Sequence, residues 1–222
     1  MSGLLLKTLA IFLLGTTLAC SAAKARVVVV PEPALDTPLA ATRGEQTAVL
    51  AGGCFWGIEA VYEHVKGVHR VTSGYSGGDA DKAHYESVSE GGTGHAESVR
   101  ITYDPSQITY GQLLQVFFAV AHDPTELNRQ GPDTGTQYRS AIFYANEEQK
   151  RIALAYIKQL NEAKVYERPI VTEVTALNSF YEAEAYHQDY AVHHPKDAYI
   201  VINDLPKVAN LRRQFPKLYI AR

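Results

Sequence analysis

The chain passes from strand to helix within the stretch Thr47-Ala48-Val49-Leu50-Ala51-Gly52-Gly53-Cys54-Phe55-Trp56-Gly57. The first five of these residues are small or apolar, which predicts a short buried strand. Two glycines end that strand. From Phe55 onward, apolar residues recur at helical spacing until Gly67 stops the run. The stretch therefore predicts a buried strand, a sharp turn and a helix that opens at Cys54.

Cys54 is placed by this pattern beside the unpaired N–H groups of a helix N-terminus. Their partial positive charge favours a thiolate and lowers the pKa of a Cys from about 8.5 into a range of roughly 3.5–7.5. A free Cys is commonly a buried structural residue. Here the Gly-Gly turn leaves space over the sulfur, and Phe55 and Trp56 can wall an apolar pocket around it. We interpret Cys54 as a reactive nucleophile.

The patterns on either side of this stretch predict a mixture of strands and helices. Further strands are predicted at 68–75, 96–103, 140–144 and 170–175, a loop at 79–94, and helices at 110–121, 147–163, 181–190 and 204–215. Strands and helices do not alternate strictly. We therefore expect an α/β domain of the α+β type, a two-layer sandwich with a central mixed β-sheet. Its core is expected to be ferredoxin-like and its C-terminal part long and irregular.

Two polar clusters lie outside the Cys54 turn. In the first, a flexible loop at 91–94 leads into a strand that begins near Glu97. A carboxyl in an apolar pocket has its pKa raised by desolvation and can act as an acid near neutral pH. On spacing alone, a solvated or salt-bridged Glu97 fits the sequence as well. The second cluster, 133–140, is a polar loop that enters a strand and is weakly specific by itself.

The composition excludes several classes of protein. With 46% hydrophobic and 20% charged residues, the 222-residue chain is typical of a globular protein. Its net charge of −3 is scattered, so no basic stripe indicates nucleic-acid binding. Cys20 and Cys54 are the two cysteines, which excludes a disulfide framework or a Cys-based zinc site in the folded part. Fourteen tyrosines offer hydroxyls, several of which can line a polar pocket.

Residues 1–23 have the layout of a secretory signal peptide, with a cation at Lys7, an apolar run at 9–14 and small residues after it. The apolar run is too short for a stable membrane span. The residues around Cys20 resemble a bacterial lipoprotein processing site, in which Cys20 becomes lipidated; ordinary cleavage nearby is the alternative. The sequence thus predicts export to the bacterial periplasm or envelope, with any membrane contact made through a lipid anchor at Cys20.

A proline-rich segment follows at 24–45, with Pro31, Pro33 and Pro38. Prolines this dense prevent a regular helix or central strand. The segment is therefore predicted to be a tether or a wrapping arm, and the catalytic domain is expected to span 46–222.

The chain carries a series of short motifs in a fixed order. They are Gly-Cys-Phe-Trp-Gly at 53–57, Gly-Tyr-Ser-Gly-Gly at 74–78, Tyr85, Thr-Gly-His-Ala-Glu at 93–97, Tyr-Asp-Pro at 103–105, His-Asp-Pro at 122–124, Asn-Arg-Gln-Gly at 128–131, Asp133, Gly-Thr-Gln-Tyr-Arg-Ser at 135–140 and Ala-Glu-Ala-Tyr-His-Gln-Asp-Tyr at 183–190. In content and order they closely resemble the A-type methionine sulfoxide reductases over residues 47–202.

This resemblance implies a role for each matching residue. Cys54 attacks the sulfoxide sulfur, and Glu97 protonates or hydrogen-bonds the sulfoxide oxygen. Tyr85 and Tyr138 donate further hydrogen bonds to that oxygen, with Asp133 helping through a water. Phe55 and Trp56 enclose the terminal methyl group of the substrate. The product is Met plus a sulfenic acid on Cys54, and the substrate is the S epimer, free or in proteins.

The sequence departs from the family pattern in one respect. Many members carry one or two resolving Cys near the C-terminus, whereas no Cys follows Cys54 here, and Ser89, in the loop before Glu97, cannot act as one. We therefore expect an enzyme with one working Cys and no bound cofactor. Its sulfenic acid is regenerated by an external thiol, either a thioredoxin-like protein or a small molecule.

Three alternatives remain open on the sequence. Glu184 and His187 have a Glu-x-x-His spacing that occurs in carboxylate-bridged metal centres, although those need the motif twice. Without a metal, these residues are interpreted as helix packing and pocket support. A Cys–His hydrolase or acyltransferase would use His95 or His187 as its base. A non-catalytic envelope lipoprotein would keep the fold without turnover.

Overall fold

A six-stranded sheet contains the strand that leads to Cys54. The computed structural model describes residues 28–222. Within this range the strands are β1 (Gln46–Gly52), β2 (Val68–Ser76), β3 (Ala96–Tyr103), β4 (Arg129–Gln130), β5 (Asp133–Thr134), β6 (Ser140–Tyr144), β7 (Glu173–Ala176) and β8 (Phe180–Glu182). The helices are α1 (Phe55–Glu63), α2 (Tyr85–Glu90), α3 (Tyr110–Val116), α4 (Glu147–Glu162), α5 (Tyr190–His193) and α6 (Leu205–Gln214). Short 3-10 turns lie at Ala80–Lys82, Thr136–Tyr138 and Ala185–His187, and π turns at Phe117–Ala121 and Ile200–Asp204.

The sheet has the strand order β7-β6-β1-β3-β2-β8. Strands β6 and β7 run parallel, whereas the other neighbouring pairs are antiparallel. The expected mixed sheet with packed helices is therefore confirmed. Because β3 lies between β1 and β2, the connecting helix α1 crosses over the sheet and packs against β2 and β3. In the β2–β3 ladder, Tyr75 lies opposite Glu97. This pairing fixes where the two side chains enter the site.

Local patterns predicted most elements but misplaced two. The loop predicted at 79–94 contains α2. The helix predicted at 181–190 is wrong over most of its length. Phe180–Glu182 is the edge strand β8, which pairs with β2 through Tyr181 and Tyr75, and the following residues form the short 3-10 turn Ala185–His187 before α5 begins at Tyr190. The outer edge of β2 offers unpaired backbone groups, and pairing them overrides a weak helical pattern in a short segment.

The N-terminal arm lies on the domain surface. Val30 is buried, and the Tyr156 hydroxyl of α4 donates to the Pro31 carbonyl at 2.6 Å. The Asp36 carboxylate accepts the Gly111 N–H of α3 at 2.9 Å. Residues 30–36 therefore follow α3 and α4 instead of extending away from them.

Two predictions for the beginning of the chain, the signal peptide at 1–23 and lipidation of Cys20, concern residues outside the described range. Across 28–222, no helix combines the length and the apolar character that a membrane crossing requires.

Two buried carboxyls on α1, Glu59 and Glu63, form a cluster with the exposed Asp189. Glu59 and Glu63 lie one helical turn apart on α1, and both are buried. Burial first, and then the charges of Glu63 and Asp189, raise the pKa of Glu59 to about 8. Burial and contact with the Asp189 side chain raise the pKa of Glu63 to about 7. At neutral pH Glu59 is therefore mainly protonated in the folded protein.

Replacing Glu59 with Gln is expected to stabilise the protein in mild alkali. The pKa of an unfolded Glu is near 4.5 and that of folded Glu59 is about 8, so the folded state binds the extra proton between these values. Stability therefore falls as pH rises through this window. By urea unfolding at pH 9, we expect Glu59→Gln to recover on the order of 3 kcal/mol.

The matched control is Glu162→Gln, which changes an exposed carboxyl on α4 whose side chain is 68% accessible. This variant should unfold like wild type at pH 5 and at pH 9. Parallel pH slopes for wild type and Glu59→Gln would contradict the role of Glu59.

Candidate active site

The turn that presents Cys54 has the predicted form, and its backbone conformation and close packing explain the glycine at position 53. Strand β1 ends at Gly52, and Cys54 is the N-cap residue of α1. Gly53 has φ +98°, a conformation that favours glycine. A Cβ at this position would also lie 2.6 Å from the Gln130 side chain. The strand, the turn and the helix thus direct the Cys54 thiol toward the site.

The environment of Cys54 does not lower its pKa, and here the sequence-based prediction is wrong. The thiol receives the Trp56 backbone N–H, as expected at a helix N-terminus, and Lys207 lies near enough to favour the thiolate. Burial, and then the carboxyl charges of Glu97 and Asp204, outweigh both and raise the pKa of Cys54 well above its ordinary value. The resting nucleophile is a thiol.

Glu97 lies beside this thiol at the beginning of β3. Its side chain is 2% exposed and in hydrogen-bond contact with Cys54. The Phe55 N–H donates to Glu97 Oε2 at 3.1 Å. Burial first, with a further contribution from the charge of Asp133, raises the pKa of Glu97 to about 8. The prediction of a raised pKa is confirmed, so at neutral pH Glu97 is mainly the neutral acid.

Two tyrosines bring hydroxyls toward the same point from different elements. Tyr85 is the first residue of α2, and Tyr138 ends the 3-10 turn Thr136–Tyr138. Burial, and then the charge of Glu97, raise the pKa of both hydroxyls. Both therefore keep their protons at neutral pH and can donate hydrogen bonds. Cys54 also acts electrostatically on both, which places the four groups in one site.

Asp133 lies at the edge of this group and has a partner that the sequence did not indicate. Its carboxylate accepts a hydrogen bond from the Tyr199 hydroxyl. Its charge raises the pKa of Glu97 and of both site tyrosines. Glu97, Tyr85 and Tyr138 thus each interact electrostatically with both Cys54 and Asp133.

Aromatic rings line the other side of the thiol. Phe55 is buried, with its ring centroid 5.1 Å from that of His187. Trp56 is half-buried and stacks on Tyr190 at 3.7 Å with an interplanar angle of 7°. Tyr199 meets Trp56 edge-on at 6.0 Å. Such rings form an apolar wall with polar tips, which suits a thioether methyl group.

Tyr190, Tyr199 and Asp204 were not assigned roles from the sequence. The many tyrosines in the composition were the available signal for the first two. Asp204 approaches α1 at Gly57, where a Cβ would lie 2.1 Å from Asp204 Oδ1. Its carboxylate pairs with Lys207 at 3.0 Å. The glycine after Trp56 therefore admits a buried ion pair next to the nucleophile.

The histidines of the alternative functions are engaged elsewhere. His95 Nδ1 accepts the Gly78 N–H at 3.2 Å, and Nε2 lies 3.0 Å from the Asp79 carbonyl. His95 is therefore not arranged as a base for Cys54. Glu184 and His187, the pair of the metal alternative, bond to Tyr75, Tyr85 and Trp56.

Known proteins with similar sequences identify the family of this chain. A family model described as peptide methionine sulfoxide reductase matches residues 46–219. Peptide methionine sulfoxide reductase MsrA 2 of Mesorhizobium japonicum is 62% identical over 179 residues, which cover 81% of this chain and 92% of the relative. The protein of the same name from Synechocystis is 52% identical over 189 residues, 84% of this chain and 88% of the relative.

Two solved structures share the fold. The reduced form of Mxr1 from Saccharomyces cerevisiae is 32% identical, with a TM-score of 0.61 over 72% of this chain and 94% of its own. Methionine sulfoxide reductase A of Corynebacterium diphtheriae is 36% identical, with a TM-score of 0.59 over 70% and 77%. The family model and both relatives cover most of the chain, and the range matched by the family model includes the whole Cys54 site. The chain belongs to the peptide methionine sulfoxide reductase family, whose members are oxidoreductases acting on peptide methionine sulfoxide.

Proposed function

We propose that this protein reduces methionine S-sulfoxide, free or in proteins, to methionine by moving the sulfoxide oxygen onto Cys54. One observation carries the proposal: a carboxyl with a pKa of about 8 is in hydrogen-bond contact with a buried thiol at an aromatic pocket. Sulfoxide reduction needs a nucleophilic sulfur and a proton for the departing oxygen, and this pair supplies both.

The first step balances without another reactant. The Cys54 sulfur attacks the sulfoxide sulfur, and the oxygen then passes to Cys54 as the substrate's sulfur–oxygen bond breaks, so the substrate is reduced and Cys54 is oxidised to a sulfenic acid. Glu97 gives its proton to the oxygen and recovers one from the Cys54 thiol. Because the Phe55 N–H donates to Oε2, Oε2 is the acceptor oxygen of the neutral acid and the other oxygen carries the proton.

The neighbouring groups stabilise the charge that develops on the oxygen. Tyr85 and Tyr138 keep their protons and donate to it. Asp133, held by the Tyr199 hydroxyl, assists through a water. Phe55 and Trp56 enclose the methyl group. Contact of the methyl group with these two rings selects the substrate, and the hydrogen bonds to the sulfoxide oxygen activate it.

We further propose that an external dithiol completes the cycle. One thiol attacks the sulfenic sulfur and releases water, and the second displaces Cys54 as a thiol, leaving the reductant as a disulfide. A thioredoxin-like protein supplies both thiols, or two molecules of a small thiol supply one each. No Cys follows Cys54 in the sequence, and Cys20 belongs to the proposed signal. The proposed setting is the bacterial periplasm or envelope, where the enzyme repairs oxidised proteins, free or anchored by lipid at Cys20.

A single-turnover experiment tests this function and the lone thiol together. The reduced full chain, mixed with a peptide methionine S-sulfoxide and no reductant, is expected to form one methionine per chain and to lose the Cys54 thiol. A sulfenic-acid trap such as dimedone should then label Cys54, as read by mass spectrometry. No methionine, or a Cys54–Cys20 disulfide in place of the trap adduct, would overturn the proposal. Cys20→Ser is the matched control and should give the same yield.

A further inference from the structure

The turn from Ala183 to Gln188 is fixed to strand β2 at both ends. The Ala183 N–H donates to the Ser73 carbonyl at 2.9 Å. The side-chain amide of Gln188 accepts a hydrogen bond from the Ser73 N–H and donates one to the Ser73 carbonyl, both at 2.9 Å. We call residues 183–188 the β2-bound turn. Because a backbone hydrogen bond at one end and the Gln188 side-chain amide at the other hold it to β2, the turn can act as a rigid support for its side chains.

Both carboxylate oxygens of Glu184 accept hydrogen bonds from residues near the site. Oε2 accepts the Tyr75 hydroxyl, and Oε1 accepts the Tyr85 backbone N–H, each at 2.9 Å. Tyr85 is the first residue of α2, and the N-cap residue His84 makes no side-chain capping bond. Glu184 therefore takes the place of a local cap and sets where α2 begins. The Tyr85 hydroxyl projects from that first residue.

His187 holds the opposite wall of the site. The Trp56 indole Nε1 donates to His187 Nδ1 at 3.2 Å. An indole N–H can only donate, so Nδ1 must be an acceptor and the ring proton sits on Nε2. His187 is 2% exposed, and its burial lowers its pKa and keeps the ring neutral. The same ring lies 4.5 Å from the Tyr85 ring, so His187 contacts both walls.

We infer that the β2-bound turn positions the two halves of the substrate pocket, Glu184 setting the Tyr85 hydroxyl and His187 setting the Trp56 indole. This inference rests on the proposed function. Both are positioning residues, since they bond to the groups that meet the substrate. A single rigid turn thereby sets the distance between the group that activates the oxygen and the ring that encloses the methyl.

The fluorescence of Trp56 tests the His187 half without any substrate. Trp56 is the single Trp of the chain, so emission reports on this ring alone. In His187→Leu the indole N–H has no acceptor, and we expect a shifted emission maximum and at least twofold greater quenching by acrylamide. In single turnover, the half-saturating concentration of the sulfoxide should rise roughly tenfold. His187→Asn, whose amide oxygen can replace Nδ1, should restore both readings.

The positioning role of Glu184 is tested by the single-turnover rate constant. Trp56 emission serves as the internal control, because His187, and not Glu184, accepts the Trp56 indole N–H. Glu184→Ala should lower the saturating single-turnover rate constant roughly 10–100-fold, because a displaced Tyr85 hydroxyl no longer meets the oxygen. Its Trp56 emission should stay as in wild type. Glu184→Gln can accept the Tyr85 N–H and donate to the Tyr75 oxygen, so it should recover most of the rate. Glu182→Ala, an exposed neighbour on β8 whose side chain is 57% accessible, is the matched control and should behave as wild type.

The outcomes separate this inference from the proposed function. If the wild-type protein forms no methionine, the proposed function is wrong. The Trp56 emission of His187→Leu still tests whether the β2-bound turn positions Trp56. Unchanged emission and quenching in His187→Leu overturn the His187 half, and a rate within twofold of wild type in Glu184→Ala overturns the Glu184 half. If circular dichroism shows that His187→Leu is unfolded, His187→Gln replaces it in the comparison with His187→Asn, and the same criteria apply. The Gln side chain stays polar but places its amide away from the Nδ1 position.

Discussion

Cys54→Ser is expected to abolish methionine formation, with a single-turnover rate constant lower by on the order of 10⁴-fold or more, a typical loss when a nucleophile is removed. A hydroxyl is nearly the same size as a thiol and can still meet the Glu97 carboxyl, which touches Cys54 in the wild type. Oxygen, however, cannot accept the sulfoxide oxygen and become a stable oxidised product as sulfur does. The measurement is methionine released from a sulfoxide peptide in the presence of excess dithiothreitol.

The fold should survive this change. Cys54 is a free cysteine with few exposed atoms and forms no disulfide. We expect the circular dichroism spectrum of Cys54→Ser to match that of wild type and its Trp56 emission to be close to it. Methionine formation by the serine variant at a rate within tenfold of wild type would rule out Cys54 as the group that takes the oxygen.

Glu97→Gln is expected to lower the single-turnover rate constant roughly 10²–10⁴-fold, the usual range for loss of a general acid. The Gln side chain can keep its amide oxygen on the Phe55 N–H, a bond that Glu97 makes at 3.1 Å. It cannot give a proton to the departing oxygen. The pocket should therefore remain assembled while the chemical step slows, so the half-saturating substrate concentration should change much less than the rate constant.

The pH dependence of the same step supplies an independent check. Glu97 donates only as the acid, and its pKa is raised to about 8 by burial. The acid form predominates below pH 8, so the wild-type rate constant should fall as pH rises through about 8, toward tenfold per pH unit. Single turnover excludes the reductant's own titration. Glu97→Gln should lack this descending limb, and an unchanged limb in the variant would assign it to another group.

For Cys54, the local sequence pattern predicted the position of the thiol but not its ionisation. The turn, the N-cap position and the helix were all predictable from neighbouring residues, because strand and helix patterns are local. The direction in which the pKa of Cys54 shifts was not predictable from these neighbours. The helix terminus favours the thiolate as expected, but burial, and then the charges of Glu97, 42 residues beyond Phe55 along the chain, and of Asp204, reverse the balance. Desolvation and through-space charge depend on which distant segments pack together.

The same division holds for the chain as a whole. By itself the sequence determined the strand–turn–helix at Cys54, the mixed α/β class, the resemblance to the family, and the five residues predicted to be catalytic. Only the tertiary structure decided that Cys54 rests as a thiol beside an acidic Glu97, that 180–182 is an edge strand, and that Tyr190 and Tyr199 complete the wall around Trp56. Periodicity and motif order are properties of neighbours in the chain, whereas burial, ring stacking and edge pairing arise between segments far apart in it.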